Sequence, residues 1–386
     1  MRKTLIIFIC CVILFVILLF TPQKEKENEL VFWTLQLSGF SDYFNNIIAE
    51  FEEDNPEIKI KWIDVPYSEG EKRTLASIMG KNPPDLINLN PDFSIMLSQI
   101  GALKTFNNDD LAQFNPQIIK LLKYNDKYFG IPFYATSSIT YINKEITQKA
   151  GISKIPSTYE QMYKNAGIIK DKTGKFVTEP TICENDTIIK ILNKYGIDKS
   201  EKLKSKEALK VLDEYKNLYE QNKIPKESLT QGHRDALEKY MSDQIAYLVT
   251  GSNFLNIIKE NAPQVLKNTD VSYQLTQGNG EYDCSLMNFI IPLRAKNPDY
   301  ALKFAQFLTN EKNQLEFSKL TGVLPVNSNA LRNPYFSKTD GTLESKARKI
   351  SAQQLNKLIT PFEYGDNQKE TISEYNQFVQ KYVLNK

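Results

Sequence analysis

Asn288-Phe-Ile-Ile-Pro292, then Lys296-Asn-Pro-Asp-Tyr-Ala-Leu-Lys-Phe-Ala-Gln-Phe-Leu308, then Thr321-Gly-Val-Leu-Pro-Val326, is the stretch that decides the fold. An apolar strand enters a helix that Asn297 caps and Pro298 opens, with Tyr300, Ala301, Phe304, Ala305 and Leu308 along one face. A second helix begins near Thr309 and Asn310. It stops at Thr321-Gly322, where glycine can take left-handed backbone, and a short extended piece ends in Pro325.

Upstream, strands and helices alternate. Leu30 to Leu35 reads as a strand, and Phe44, Ile47, Ile48 and Phe51 form a helix face. Ile58, Ile60 and Trp62 alternate with polar residues as a second strand. Leu75, Ile78 and Met79 then close a helix at Gly80, and Asp85 to Leu89 is a third strand. Parallel sheets of this kind hold ligands beyond the carboxyl ends of their strands, so the loops after Leu35 and Leu89 are expected to face one crevice. Further on, Ser205 to Gln221 and Gly232 to Tyr240 read as helices, and Ile245 to Val249 as a buried strand. Glu344 to Leu358 and Ile372 to Val383 read as the last helices.

This order resembles the bacterial extracellular solute-binding proteins of carbohydrate ABC importers, the maltose-binding-protein-like family. Phe32-Trp33, Phe51-Glu-Glu-Asp-Asn-Pro56, Gly80-Lys-Asn-Pro-Pro-Asp85 and Ile100-Gly-Ala-Leu103 are similar to the family's first lobe. Tyr128 to Tyr134 and Ile139 to Lys144 resemble the segment that crosses its hinge. Pro156-Ser-Thr-Tyr-Glu160 resembles a family helix start, with Tyr159 where the family usually carries tryptophan and with Ser157 and Glu160 spaced as a capping box. Gly251-Ser-Asn-Phe254 stands where the family has a glycine-rich ligand loop. The likeness runs from Leu30 to about Phe336.

The resemblance implies an α/β, two-lobe periplasmic-binding-protein-like fold (type II), each lobe a mixed sheet flanked by helices. Residues 30–138 and 287–322 are expected in lobe 1, and 139–286 and 323–386 in lobe 2. Crossings are expected near Ser138 to Thr140, Leu286 to Asn288 and Thr321 to Leu324. The implied function is capture of a mono- or oligosaccharide by hinge closure and its delivery to ABC transporter permease subunits. Sugar recognition asks for flat aromatic faces and short polar side chains. The crevice loops supply Trp33, Gln36, Asn90, Asp92, Tyr134, Gly251, Asn253, Phe254 and Asn288 as candidate ligand contacts. Trp62, by contrast, is read as a core residue, and Asn90 and Asp92 are equally readable as helix caps.

Forty-eight basic and 46 acidic residues leave a net charge of +2, which offers no field for nucleic acid. The solute, the permease and the cytoplasmic membrane through residues 5–20 are therefore the expected partners, and the chain is expected to act as a monomer. Arg2 and Lys3 precede the uncharged run Leu5 to Phe20, the pattern of an export signal, with 23–29 as linker. Ile9 before Cys10 makes a poor lipidation site, and no small-residue cleavage site follows Phe20. Residues 1–22 are read as a signal peptide or a retained anchor, and an extracytoplasmic location follows from either.

Cys183 and Cys284, a hundred residues apart, read as separate buried thiols, with a disulfide as the alternative. His233 is the only histidine, and Gly-x-Ser-x-Gly, His-Glu-x-x-His and Cys-x-x-Cys are absent. No enzyme, no cofactor and no metal site is expected, although two carboxylates could in principle serve a glycosidase. A sensor, or a tethered binder of a glycerophosphodiester or polyamine, is the alternative to a sugar importer component.

Overall fold

The computed structural model describes residues 28–364 and 367–385, so the expectations for residues 1–22 lie outside the described residues. Strands β1 (Asn28–Leu35), β2 (Ile58–Val65), β3 (Leu86–Leu89), β4 (Ile131–Asn143), β5 (Tyr247–Gly251), β6 (Thr269–Ser272), β7 (Cys284–Ile290) and β8 (Leu324–Pro325) build the sheets. The helices that matter for the site are α1 (Ser41–Asp54), α2 (Tyr67–Met79), α3 (Pro91–Gln99), α4 (Thr187–Lys194), α5 (His233–Met241), α6 (Pro298–Leu308), α7 (Glu311–Thr321), α8 (Leu343–Gln354) and α9 (Gln368–Leu384).

In lobe 1 the strand order is β8-β4-β7-β3-β1-β2. β1 lies parallel to β2 and β3, while β7 runs antiparallel to β3 and to the first half of β4. Alternation along β1 buries Leu30, Phe32 and Thr34 completely, and Phe32 meets Phe44, Phe289 and Phe304 edge-on or tilted at 5.3–6.2 Å. Two capping signals act as the sequence suggests, whereas Asn297 precedes α6 without a side-chain cap, its amide donating instead to the Glu29 carbonyl. Asn310 accepts the Asn313 N–H, and Gly322, at φ +78°, ends α7. At the expected capping box the cap is one residue on, because Thr158 accepts the Gln161 N–H while Ser157 bonds the Gln161 side chain.

β4 belongs to both lobes. Its residues 131–137 pair with β7, and its residues 138–143 pair with β5 and β6, so the partner changes between Ser137 and Ser138. Gln354, at the end of α8 and fully buried, donates to Ser137 Oγ (2.6 Å) and to the Ser138 carbonyl (2.8 Å) and accepts the Gln274 N–H at 2.7 Å. Gln274 in turn accepts the Asp283 N–H at 2.8 Å, immediately before β7 returns to lobe 1. One glutamine thus fastens two of the crossings, and every polar atom it buries is used.

The third crossing differs from expectation. Leu324 and Pro325 pair with the lobe 1 half of β4, and Val326 and Phe336 lie in the lobe 1 core with Leu331 packed against it, rather than opening lobe 2. The stop at Gly322 marks a reversal, because the Val326 N–H bonds back to Gln314 of α7 at 2.8 Å. A helix stop followed by proline looks the same in sequence whether the chain departs or doubles back. The passage falls after Phe336, at the start of α8, which then lies along the seam. Its Ala347 and Ile350 pack with Ile139 and Tyr141 of lobe 2, and Ala352 packs with lobe 1. Cys183 and Cys284 are free thiols, and burial pushes them up to about 11 and about 12, so both are inert near neutral pH.

Candidate functional site

The carboxyl ends of β1, β2 and β3 form the lobe 1 wall of a crevice. After β1 the chain turns through Gln36, exposed and at φ +54°, and Asp64 fixes this turn by accepting from Thr34 Oγ1 (2.7 Å) and from the Leu37 and Ser38 N–H groups (2.9 Å each). Trp62 donates to the same Thr34 hydroxyl at 2.8 Å and stacks on Phe44, so it supports the loop from behind. After β3, Asn90 caps α3 through the Phe93 N–H, and Asp92 projects from the first turn.

The facing wall comes from lobe 2. Phe176 and Val177 run beside β5 and lead into a loop in which Thr181 (φ +37°) and Asn185 (φ +48°) hold left-handed backbone. Such a conformation is costly for a β-branched residue and marks a turn that its surroundings impose. The loop delivers Asp186 to the start of α4. Its carboxylate takes the Lys190 ammonium at 3.0 Å and the Tyr364 hydroxyl at 3.1 Å instead of capping the helix. One turn further, Lys194 is fully buried, paired with Asp283 at 2.8 Å and donating to the Leu275 carbonyl at 3.0 Å.

Asp92 of lobe 1 faces this cluster, near enough for Lys190 and Asp186 to act on its charge. It keeps contact with water yet has protein on both sides, as a residue on a cleft wall does. Desolvation raises its pKa, with Lys190 opposing the shift and Asp186 and Glu71 adding to it. For Lys190 desolvation works downward, but Asp186, with Asp92 and Asp283 behind it, prevails and holds the ammonium above its ordinary value. Lys194 is lowered by burial despite Asp283.

The lobes also touch at the rim. Lys369 of α9 pairs with Glu71 of α2 at 2.5 Å and lies 5.7 Å over the Phe93 ring. An exposed pair of this kind is worth no more than about 1 kcal/mol. Lys369→Ala should therefore move the open–closed balance by no more than about fivefold. A slightly larger radius of gyration of the ligand-free protein in solution scattering would register this, and an unchanged fold with unchanged scattering would deny the contact a role in closure.

The expected contacts separate. Gln36, Asn90 and Asp92 stand at the lobe 1 strand ends, and Gly251, Asn253 and Phe254 stand where β5 meets Ser138 at the seam. Gly251 accepts the Tyr141 hydroxyl, and a Cβ there would lie 2.3 Å from Asn253 Oδ1, so any side chain at this position would displace that of Asn253. Phe254 packs edge-on to His233 at 5.1 Å. His233 itself meets Thr250 through Nε2 at 2.9 Å and is pushed down by burial, a supporting residue beneath the loop.

Trp33 and Tyr134 are half-buried against the lobe 1 core. The Trp33 indole N–H is shielded without an acceptor, and Tyr134 packs on Phe133 and Phe317. Asn288 needs correction as a ligand contact. It is fully buried and donates to Ser94 Oγ at 3.1 Å, tying α3 to the sheet, because a polar residue at the buried end of β7 must find its partner inside.

Asp186, Lys190, Asp283, Tyr364 and Gln368 were not among the sequence candidates. The only local signal for them was the Asp186/Lys190 spacing of i, i+4. A depression of about 490 Å³ beside Lys144, Ile155, Tyr247 and Asp270 lies at the opposite ends of β4 and β5, away from this cluster.

Residues 46–343 match the bacterial extracellular solute-binding protein family. A binding protein of Brucella abortus is 24% identical over 311 residues, 76% of this chain and 75% of the relative. The diacetylchitobiose binding protein DasA of Streptomyces coelicolor is 21% identical over 381 residues, 92% of this chain and 85% of the relative. Among solved structures, a periplasmic-binding protein of Synechococcus sp. MITs9220 superposes with a TM-score of 0.81 at 26% identity, covering 92% of this chain and 93% of that one.

Proposed function

We propose, for a chain that belongs to the bacterial extracellular solute-binding protein family, that the crevice captures an oligosaccharide-class solute by closure of the two lobes and delivers it to an ABC permease. The observation that carries this reading is the approach of Asp92 from lobe 1 to the Asp186–Lys190 pair of lobe 2, whose Asp186 also takes the Tyr364 hydroxyl, all with contact to water. A ligand touching both walls binds the closed state better than the open one, and that difference is all that closure requires. Carboxylates accept from sugar hydroxyls, the lysine donates, and tyrosine offers a ring face.

The local field favours a neutral solute. Asp186 is matched by Lys190, Asp283 by Lys194 and Glu71 by Lys369. Three pairs and the single further acid Asp92 suit a polyhydroxyl compound better than a phosphodiester or a polyamine, either of which would ask for an excess of one sign.

The proposed ligand set is Gln36, Asp92, Asp186, Lys190, Asn253, Tyr364 and Gln368, with Trp33, half-buried on β1, retained for its ring. The uncharged run of residues 5–20 is proposed to hold the protein at the outer face of the membrane. Among the described residues no helix is long and apolar enough to cross a membrane.

A thermal-shift screen of the chain against oligosaccharides, glycerophosphodiesters and polyamines tests the reading, since a ligand at a hundred times its Kd adds about 2.7 kcal/mol. For the sugar that stabilises most, Asp186→Ala is expected to weaken binding at least tenfold, about 1.4 kcal/mol, by removing an acceptor and releasing Lys190 and Tyr364. Stabilisation by a polyamine or phosphodiester alone would overturn the sugar assignment.

A further inference from the structure

Met79, Leu293 and Ile100 are the three most exposed large hydrophobic side chains among the described residues, at 69%, 66% and 59%. They are far apart in sequence but share one pole of lobe 1. The Leu293 N–H bonds the Ala102 carbonyl, two residues beyond Ile100, and the Arg294 guanidinium donates to the carbonyl of Ile78, next to Met79. α2 and α3 run back from the crevice, so Met79 and Ile100, at and just past their carboxyl ends, lie at the pole away from it.

The described chain begins at the same pole. β1 runs from Asn28 toward the crevice, and Asn297, four residues beyond Leu293, donates to the Glu29 carbonyl at 3.0 Å. Exposed Lys81, Arg294 and Lys296 stand beside the trio, whereas Asp299 and Glu29 are taken up by Lys104 and Lys61. Seven residues separate Phe20 from Asn28, a reach of about 25 Å at most.

We infer that this pole is a membrane-contact face: Met79, Ile100 and Leu293 enter the headgroup layer of an anionic bilayer, and Lys81, Arg294 and Lys296 meet its phosphates. The inference rests on the reading that Leu5 to Phe20 stays in the membrane. Three clustered, exposed apolar side chains with a basic surround match an interfacial site, and a tether this short keeps the face near lipid. The crevice then points into solution while the protein waits for solute.

The test uses the full chain in vesicles of phosphatidylcholine and phosphatidylglycerol doped with a phosphatidylcholine carrying a diazirine near the headgroup. After irradiation, peptides containing Met79, Ile100 and Leu293 should carry at least fivefold more lipid adduct than those containing Ile155 and Ile257 of lobe 2, which are also exposed. The triple variant Met79→Ser, Ile100→Ser, Leu293→Ser should lose that excess while remaining on carbonate-washed vesicles. Retention on washed vesicles with no excess labelling at the pole would overturn the contact face and leave the anchor standing. Release of the chain by the wash would overturn both. Pole-to-pole cross-links between copies in place of lipid adducts would identify a second copy as the occupant and reject the lipid.

Discussion

Asp283→Ala should destabilise the protein by about 3 kcal/mol or more, because it leaves the Lys194 ammonium in a site with no access to water, with the Leu275 carbonyl and the Tyr159 ring but no counter-charge. Lys194→Met should cost far less. It removes the buried charge with its desolvation penalty and leaves Asp283, which is partly exposed, able to turn to water. The pH dependence identifies the cause. The folded-state pKa of Lys194 is already lowered by burial, and losing Asp283 lowers it further. When the folded pKa lies below the unfolded one, the unfolded chain binds more protons in the window between them and stability rises with pH. The deficit of Asp283→Ala should therefore shrink as pH is raised towards 10. Urea denaturation at pH 7 and pH 9.5 measures it, and equal deficits at both would remove Lys194 as the explanation.

Glu179→Gln should act in the opposite sense. The Glu179 side chain is buried with neither oxygen hydrogen-bonded, Lys239 is 3.8 Å away, and Glu227 and Asp235 add negative charge, so desolvation first and these acids second raise it to about 7. A carboxyl whose folded pKa exceeds its unfolded value costs nothing while protonated in both states. It then destabilises progressively as pH rises from the ordinary value of about 4.5 through about 7, a total of about 3 kcal/mol. The glutamine variant should match the parent in melting temperature near pH 4.5 and exceed it at pH 8. A variant that melts lower at pH 8 would mean that the Lys239 pair outweighs the desolvation.

The parts of the fold that were legible in sequence are those whose causes are local. Gly322 stops a helix because of its own backbone freedom, Asn310 caps the turn that follows it, and the apolar run of Leu30 to Leu35 declares a strand. The site was harder. Asn90 and Asp92, two residues apart, have different jobs, one binding the Phe93 N–H and the other facing lobe 2. That division depends on where α4 lies, about a hundred residues later. Asn288 looked like a residue at a crevice because it is polar on a returning strand, and only Ser94, brought to it by the sheet, shows why it is polar. Gln354 gave no sign of its function, since a glutamine at a helix end is ordinary until Ser137, Ser138 and Gln274 surround it.

The strand shared by the two lobes also constrains the order in which the molecule can be assembled. Residues 131–137 acquire their lobe 1 neighbours only when residues 284–290 and then 324–325 are available. The second core is sealed by Tyr375, Val379 and Val383, close to the end of the chain. During synthesis neither half can finish folding early, because each waits for segments more than a hundred residues downstream. Such long-range closure makes folding slow. A growing chain keeps the edges of β3 and β4 open until residues 284–325 have been made, and in that interval it is both pliable enough to be threaded through a pore and in need of protection from its own kind.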